Sequence, residues 1–229
     1  MRSILLSASA ILIMSFSAQA QLDDKVADRL YESSTVLDQL VQAPDGGIPK
    51  ELFKDAKCVA VIPAVKKAAI GIGGNYGRGV VSCRQNEGKG DWGPPSMISL
   101  SGGSFGLQLG GQSTDVVMLF MTQDSMKHLL KDKVTLGVDA AAAGGPVGRE
   151  ASADTNATMH AEILTYARSR GLFAGISLKG AALRPDKDAN KALYKRQVEA
   201  QELLIEGKGS VPNEAQKFVA ALSRSASMK

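Results

Sequence analysis

Between Gly71 and Gly111 the chain carries 13 of its 24 glycines, in the run GIGGNYGRGVVSCRQNEGKGDWGPPSMISLSGGSFGLQLGG. They fall mostly inside strand-like alternation rather than between elements. Glycine in a strand interior packs nothing and weakens the strand, so this density marks bulges, bends, or the close approach of another backbone or a ligand.

Before the fold can be read, residues 1–20 are set aside. Arg2 gives a basic start, Ile4 to Phe16 is an apolar run too short to span a bilayer comfortably, and Ala18-Gln19-Ala20 is a small-x-small cleavage site. This predicts a secretory signal peptide, cleavage at Ala20, and an exported protein, periplasmic or secreted, whose single domain fills 21–229. No cysteine follows the apolar run, which argues against a lipid anchor. Without Arg2 the formal charge falls from +4 to +3, too mild to call for a nucleic-acid partner. In an oxidising compartment the two cysteines, Cys58 and Cys83, predict a bridge closing a loop of about 26 residues and contributing roughly 3 kcal/mol. The alternative is two buried free thiols.

In chain order, Leu22, Val26, Leu30, Leu37, Leu40 and Val41 build one helical stripe, stopped by Pro44-Asp45-Gly46-Gly47. The polar face holds Asp23, Asp24, Asp28, Glu32 and Asp38 against Lys25 and Arg29, a net of −3, so the helix suits packing on a core better than an anionic bilayer. A short helix follows over 49–56. Cys58 to Ile62 reads as a strand stopped by Pro63, with Lys66-Lys67 in a loop. Two further strands, 68–76 and 77–84, meet at a bend near Asn75 to Gly77. Trp92 lies in a Gly- and Pro-rich loop. Ser104 to Gly110 alternates as a strand, Val116 to Met121 is a continuous apolar strand, and Thr122 to Lys133 is a short helix. Val134 to Ala140 alternates again, and 160–168 with 172–183 read as a hairpin. Helices are predicted around 187–205, with a break, and over 212–223, with Asp186 as a cap. The expected fold is therefore α+β: about eight mostly antiparallel, glycine-rich strands over 57–183, flanked by N- and C-terminal helices.

Catalytic motifs match poorly. Gly102-Gly103-Ser104-Phe105-Gly106 fits G-x-S-x-G, and Asp139 and His160 follow in the order a serine esterase needs, but the alternation runs straight through Ser104 where a sharp turn is required. A serine esterase at Ser104 stays a remote alternative. Gly71-Ile72-Gly73 meets Tyr76 where a dinucleotide loop needs glycine, and no phosphate loop of the G-x-x-x-x-G-K-[ST] kind occurs. Asp186, Asp188 and Asn190 begin like a calcium loop, but Lys191 replaces its glycine and Gln197 its glutamate. No catalytic residue, metal or cofactor is expected. Charge says more: from Lys50 to Arg84, seven cations (Lys50, Lys54, Lys57, Lys66, Lys67, Arg78, Arg84) face Glu51 and Asp55, a local net of +5. Such a patch beside glycine-rich strands suits an anionic headgroup, and equally a solvated rim.

Taken together, AKCVAVIPAVKKAAIGIGGNYGRGVV, the W-x-x-P at Trp92 to Pro95, SGGSFGLQLGGQSTDVVMLFM, TLGVDA and AEILTYARSRGLFAGISLKGA resemble the SYLF domain over about residues 30–220. That family comprises lipid-binding modules of bacterial exported proteins and of eukaryotic membrane-traffic and actin-patch proteins. The resemblance implies a non-enzymatic domain with an anionic lipid or membrane surface as partner. Lys66, Lys67 and Arg78, beside the family's glycine motif, are the candidate lipid-binding residues. The alternative is a structural or protein-interaction module with a cell-envelope protein as partner.

Overall fold

The computed structural model describes the backbone of residues 2–41, 47–70, 72–103, 113–147, 161–169 and 172–227, and side chains for 21–41, 47–66, 74–102, 113–147, 161–169 and 172–227. The elements, in order, are α1 (Arg2–Val41), α2 (Lys50–Asp55), β1 (Cys58–Ile70), β2 (Ile72–Cys83), β3 (Ser96–Gly103), β4 (Thr114–Phe120), α3 (Gln123–His128), β5 (Val134–Thr135), β6 (Ala142–Gly144), β7 (Ile163–Ser169), β8 (Leu172–Gly175), β9 (Ala182–Pro185), α4 (Lys187–Tyr194), α5 (Ala200–Leu204), a 3-10 turn (Asn213–Ala215) and α6 (Gln216–Ala226). Among the described residues, nine strands form one curled sheet in the order β5-β9-β3-β2-β1-β4-β7-β6, with β8 on β7 and only the β6–β7 pair parallel. The α+β expectation holds.

The sheet buries both faces, as the alternation along its central strands requires. On the helix face Val59, Val61, Val80, Met97, Val117 and Leu119 meet Val26, Leu30 and Leu37 of α1 and Phe218 and Leu222 of α6. The inner face carries Cys58, Ala60, Ile62, Val81, Leu100, Met118 and Phe120, closed by Met126, Leu136, Leu178 and Leu203. Thus α1 is a core helix over 22–41. Ion pairs fasten it at Lys195–Asp23 (2.7 Å), Arg29–Asp186 (3.0 Å) and Arg224–Asp38 (2.6 Å).

Several expected boundaries move, each for a local reason. Strand β1 does not stop at Pro63. Between the pairs Val61↔Val80 and Lys66↔Tyr76 it takes five steps against four on β2, and between Ile62↔Val116 and Val65↔Thr114 three against two on β4. One extra residue is accommodated as a bulge, where a proline without N–H is tolerated. Ala64 adopts φ 51° there, and its N–H donates to Asp115 Oδ1 (3.0 Å) while Arg168 Nη1 holds Asp115 Oδ2 (3.1 Å). Lys66 and Lys67 therefore lie in a strand, not a loop. Nor does the chain bend at Asn75 to Gly77: β2 is continuous, and its antiparallel pairing with β1 extends to Ile70↔Ile72. The 134–140 strand shrinks to two residues because Gly137, at φ 75°, turns the chain. The 172–183 strand divides into β8 and β9, which pair with opposite sides of the sheet. The predicted break in 187–205 is real, with Lys195 left-handed at φ 56°, and Asp186 Oδ1 caps α4 by accepting Ala189 N–H (3.2 Å). The 104–110 strand lies outside the described residues.

Cys58 and Cys83 form the predicted disulfide, directly opposite each other on β1 and β2 and fully buried. Trp92 is buried between Phe53 (edge-on, 6.4 Å) and the Arg84 guanidinium (4.3 Å). Arg84 also donates to the carbonyls of Ala56 and Gly90, which makes W-x-x-P a structural plug under the sheet.

The helix-face strip of the β1–β2 hairpin

The glycines of β2 serve packing. A Cβ on Gly79 would stand 2.2 Å from Val61 O and 2.8 Å from Ile62 Cα, and one on Gly77 would stand 2.6 Å from Ile62 Cγ2 and 2.9 Å from Val65 Cγ2. The bulge of β1 pushes this backbone over β2 on the inner face, and only glycine leaves room. At Gly102 the intruder is Ala181, whose Cα would lie 2.6 Å from a Cβ. The space over Gly77 and Gly79 is thus filled by the core, and no lipid-sized groove opens there.

The other face of the same strand is open. Side chains two apart on a strand, and those directly opposite on its neighbour, share a face. Tyr76 and Arg78 are therefore on one face with Lys66 opposite Tyr76, Ser101 beyond Tyr76, Ser99 beyond Arg78, and Arg184 of β9 beyond Ser99. This is the helix face, past the point where α1 and α4 cover it. Among the described residues, a Cβ at Gly74 would meet only Gly102 O, at 3.8 Å. Lys66 and Arg184 are exposed and make no ion pair among the described residues. Tyr76 is 48% exposed.

Arg78 is tethered but not consumed. Its Nε donates to Tyr76 Oη (2.6 Å) and lies 3.8 Å from Asp186 Oδ2. The hydrogen bond to Tyr76 is the main influence holding its pKa above the ordinary arginine value, with Asp186 adding to it and partial burial opposing. The same Asp186 oxygen accepts from Arg29 Nη1 at 3.0 Å. Arg29, placed on the polar face by its sequence, is instead 7% exposed; burial lowers its pKa, and Asp186 opposes that.

Of the three residues read from the sequence, the hairpin brings Lys66 and Arg78 onto one face. Lys67 is opposite Asn75 by backbone register, and its side chain lies outside the described residues. Tyr76, Ser99, Ser101 and Arg184 were missed. The signal for Tyr76 was present, since it alternates with Arg78, but a bend drawn at Asn75 to Gly77 broke that alternation. Arg184 is distant in sequence and joins through the β3–β9 register alone. Of the esterase alternative, Ser104 and His160 lie outside the described residues, and Asp139 accepts from Thr135 N–H (2.6 Å) in its own turn. Among the described residues no group of His, Cys, Asp and Glu could hold a metal ion, and no helix is long and apolar enough to cross a membrane.

A sheet closed over its own core, with a polar strip left open at one hairpin, defines an α+β interaction module. The chain belongs to the Ysc84 family, described as Las17-binding protein actin regulator, which matches residues 101–225, more than half of the 229. The SYLF resemblance is thereby confirmed. LAS seventeen-binding protein 3 of Saccharomyces cerevisiae is 34% identical over 175 residues, 75% of this chain and 37% of that protein. SH3 domain-containing YSC84-like protein 1 of Mus musculus is 34% identical over 174 residues (76% and 49%), and its Homo sapiens counterpart 32% over 174 (76% and 49%). The chain spans less than half the length of these curated relatives.

Proposed function

We propose that this domain is an exported, non-catalytic module that binds anionic phospholipid headgroups through the cations of the β1–β2 hairpin, Lys66 and Arg78 on its open face and Lys67 next to Lys66 in the strand. The observation that carries the reading is the shared open face of Lys66 and Arg78, with the exposed Gly74 on the same face. Exposed cations on a rigid strand pair attract an anionic surface, and the exposed Tyr76 ring suits the headgroup level. Export after cleavage at Ala20 is supported by the buried disulfide, which persists in oxidising compartments. N-terminal sequencing of the protein recovered from cells tests it, and an intact Met1 counts against it.

Flotation with phosphatidylglycerol and phosphatidylcholine vesicles at low and high salt tests the lipid reading. Binding to the anionic vesicles alone, weakened by salt, is expected. No binding, or binding indifferent to salt, removes the reading. A second reading, a protein-interaction module, is favoured by the relatives' name, LAS seventeen-binding protein. It predicts capture of a defined protein partner by crosslinking, without vesicle affinity.

A further inference from the structure

We infer that Arg78, Ser99 and Arg184 form a row that receives the phosphate of a lipid headgroup, and that Arg29 keeps this row charged by holding Asp186. The inference deepens the lipid-binding reading and rests on it. Ser99 is directly opposite both Arg78 and Arg184, so the three side chains stand in line across β2, β3 and β9 on the open face. Two strand spacings separate the arginine stems by about 10 Å. Two long guanidinium side chains close that gap onto one phosphate, with the serine hydroxyl beneath it as a further donor. Arginine suits this role because its planar fork matches phosphate oxygens two at a time.

The charge of the row depends on who owns Asp186. Its Oδ2 faces two guanidiniums, Arg29 at 3.0 Å and Arg78 at 3.8 Å, while its Oδ1 caps α4. One carboxylate cannot neutralise both. The largely buried Arg29 takes the close hydrogen bond, because an unpaired charge there costs far more than one at the surface. Arg78 uses its Nε toward Tyr76 and Asp186, and among the described residues its Nη groups make no hydrogen bond. Arg184 has no ion pair among the described residues to give up. The acidic groups whose field reaches Arg78 are Asp186 and Asp188, and Arg29 offsets the nearer one.

The test is flotation of the full chain on phosphatidylglycerol/phosphatidylcholine vesicles, with soluble glycerol phosphate as a competing ligand. Arg184→Gln should weaken vesicle binding about fivefold, and Arg29→Gln by a similar factor, since Asp186 then turns to Arg78. Adding Asp186→Asn to Arg29→Gln should restore wild-type affinity within about twofold. Arg224→Gln, which removes a cation paired with α1 at Asp38, should leave affinity unchanged. The inference is overturned if Arg184→Gln binds like wild type, if the double variant stays as weak as Arg29→Gln, or if Arg224→Gln falls equally far. Should Arg29→Gln fail to fold, the exposed Arg184→Gln still decides for or against the row. A wild-type chain that binds glycerol phosphate but not vesicles, with the same order of variants, keeps the row and discards the lipid reading. One that binds neither overturns both.

Discussion

Strand β2 presents two faces that use glycine and its neighbours in opposite ways. On the inner face Gly77 and Gly79 leave no space at all, because the bulged backbone of β1 occupies the volume their side chains would fill. On the helix face Gly74 is exposed, and Tyr76 and Arg78, each one residue from Gly77, reach solvent. The same glycine-rich run therefore packs a core on one side and leaves an accessible polar strip on the other. A glycine motif by itself marks close approach without saying of what. The period of two decides which residues are structural and which are free to bind.

The comparison can be broken most severely at Gly79. Gly79→Ala forces a Cβ into the Val61 carbonyl, and we expect a loss of about 3 kcal/mol or more in urea unfolding, with vesicle binding lost only as the fold is lost. Removing the disulfide with Cys58→Ala/Cys83→Ala should cost about 3 kcal/mol by the loop-closure estimate, read as a lower urea midpoint. Asp115→Ala removes the acceptor of the bulge amide and the partner of Arg168, and a loss of about 2 kcal/mol is expected. Because the bulge sets the registers on both sides of β1, this variant should also increase hydrogen exchange at Val65 and Lys66. Gly74→Ala, on the open face, should change stability by less than about 1 kcal/mol. A Gly74→Ala penalty as large as that of Gly79→Ala would erase the distinction between the two faces.

Much of this was legible beforehand, and the gaps share one physical cause. The α1 stripe, the apolar β4 run, the Asp186 cap and the Cys58–Cys83 bridge follow from local periodicity and chemistry. The continuation of β1 through Pro63 was not legible, because the Ala64 amide is satisfied by Asp115 from another strand. Misplacing that strand end put Lys66 in a loop and hid its pairing with Tyr76. Arg184 was invisible for a related reason: a register between strands more than 80 residues apart has no signature in either strand alone. The candidate residues named from the sequence, Lys66 and Arg78, came from charge density, which needs no register.

The most direct test of the central claim compares wild type with Lys66→Gln/Arg78→Gln in flotation on phosphatidylglycerol vesicles at low salt. Both side chains are exposed or half exposed, so the variant should unfold at the wild-type urea midpoint. The account predicts that the variant, folded and oxidised at Cys58–Cys83, loses vesicle binding by about tenfold or more. A folded variant that floats with the vesicles as fully as wild type would contradict it.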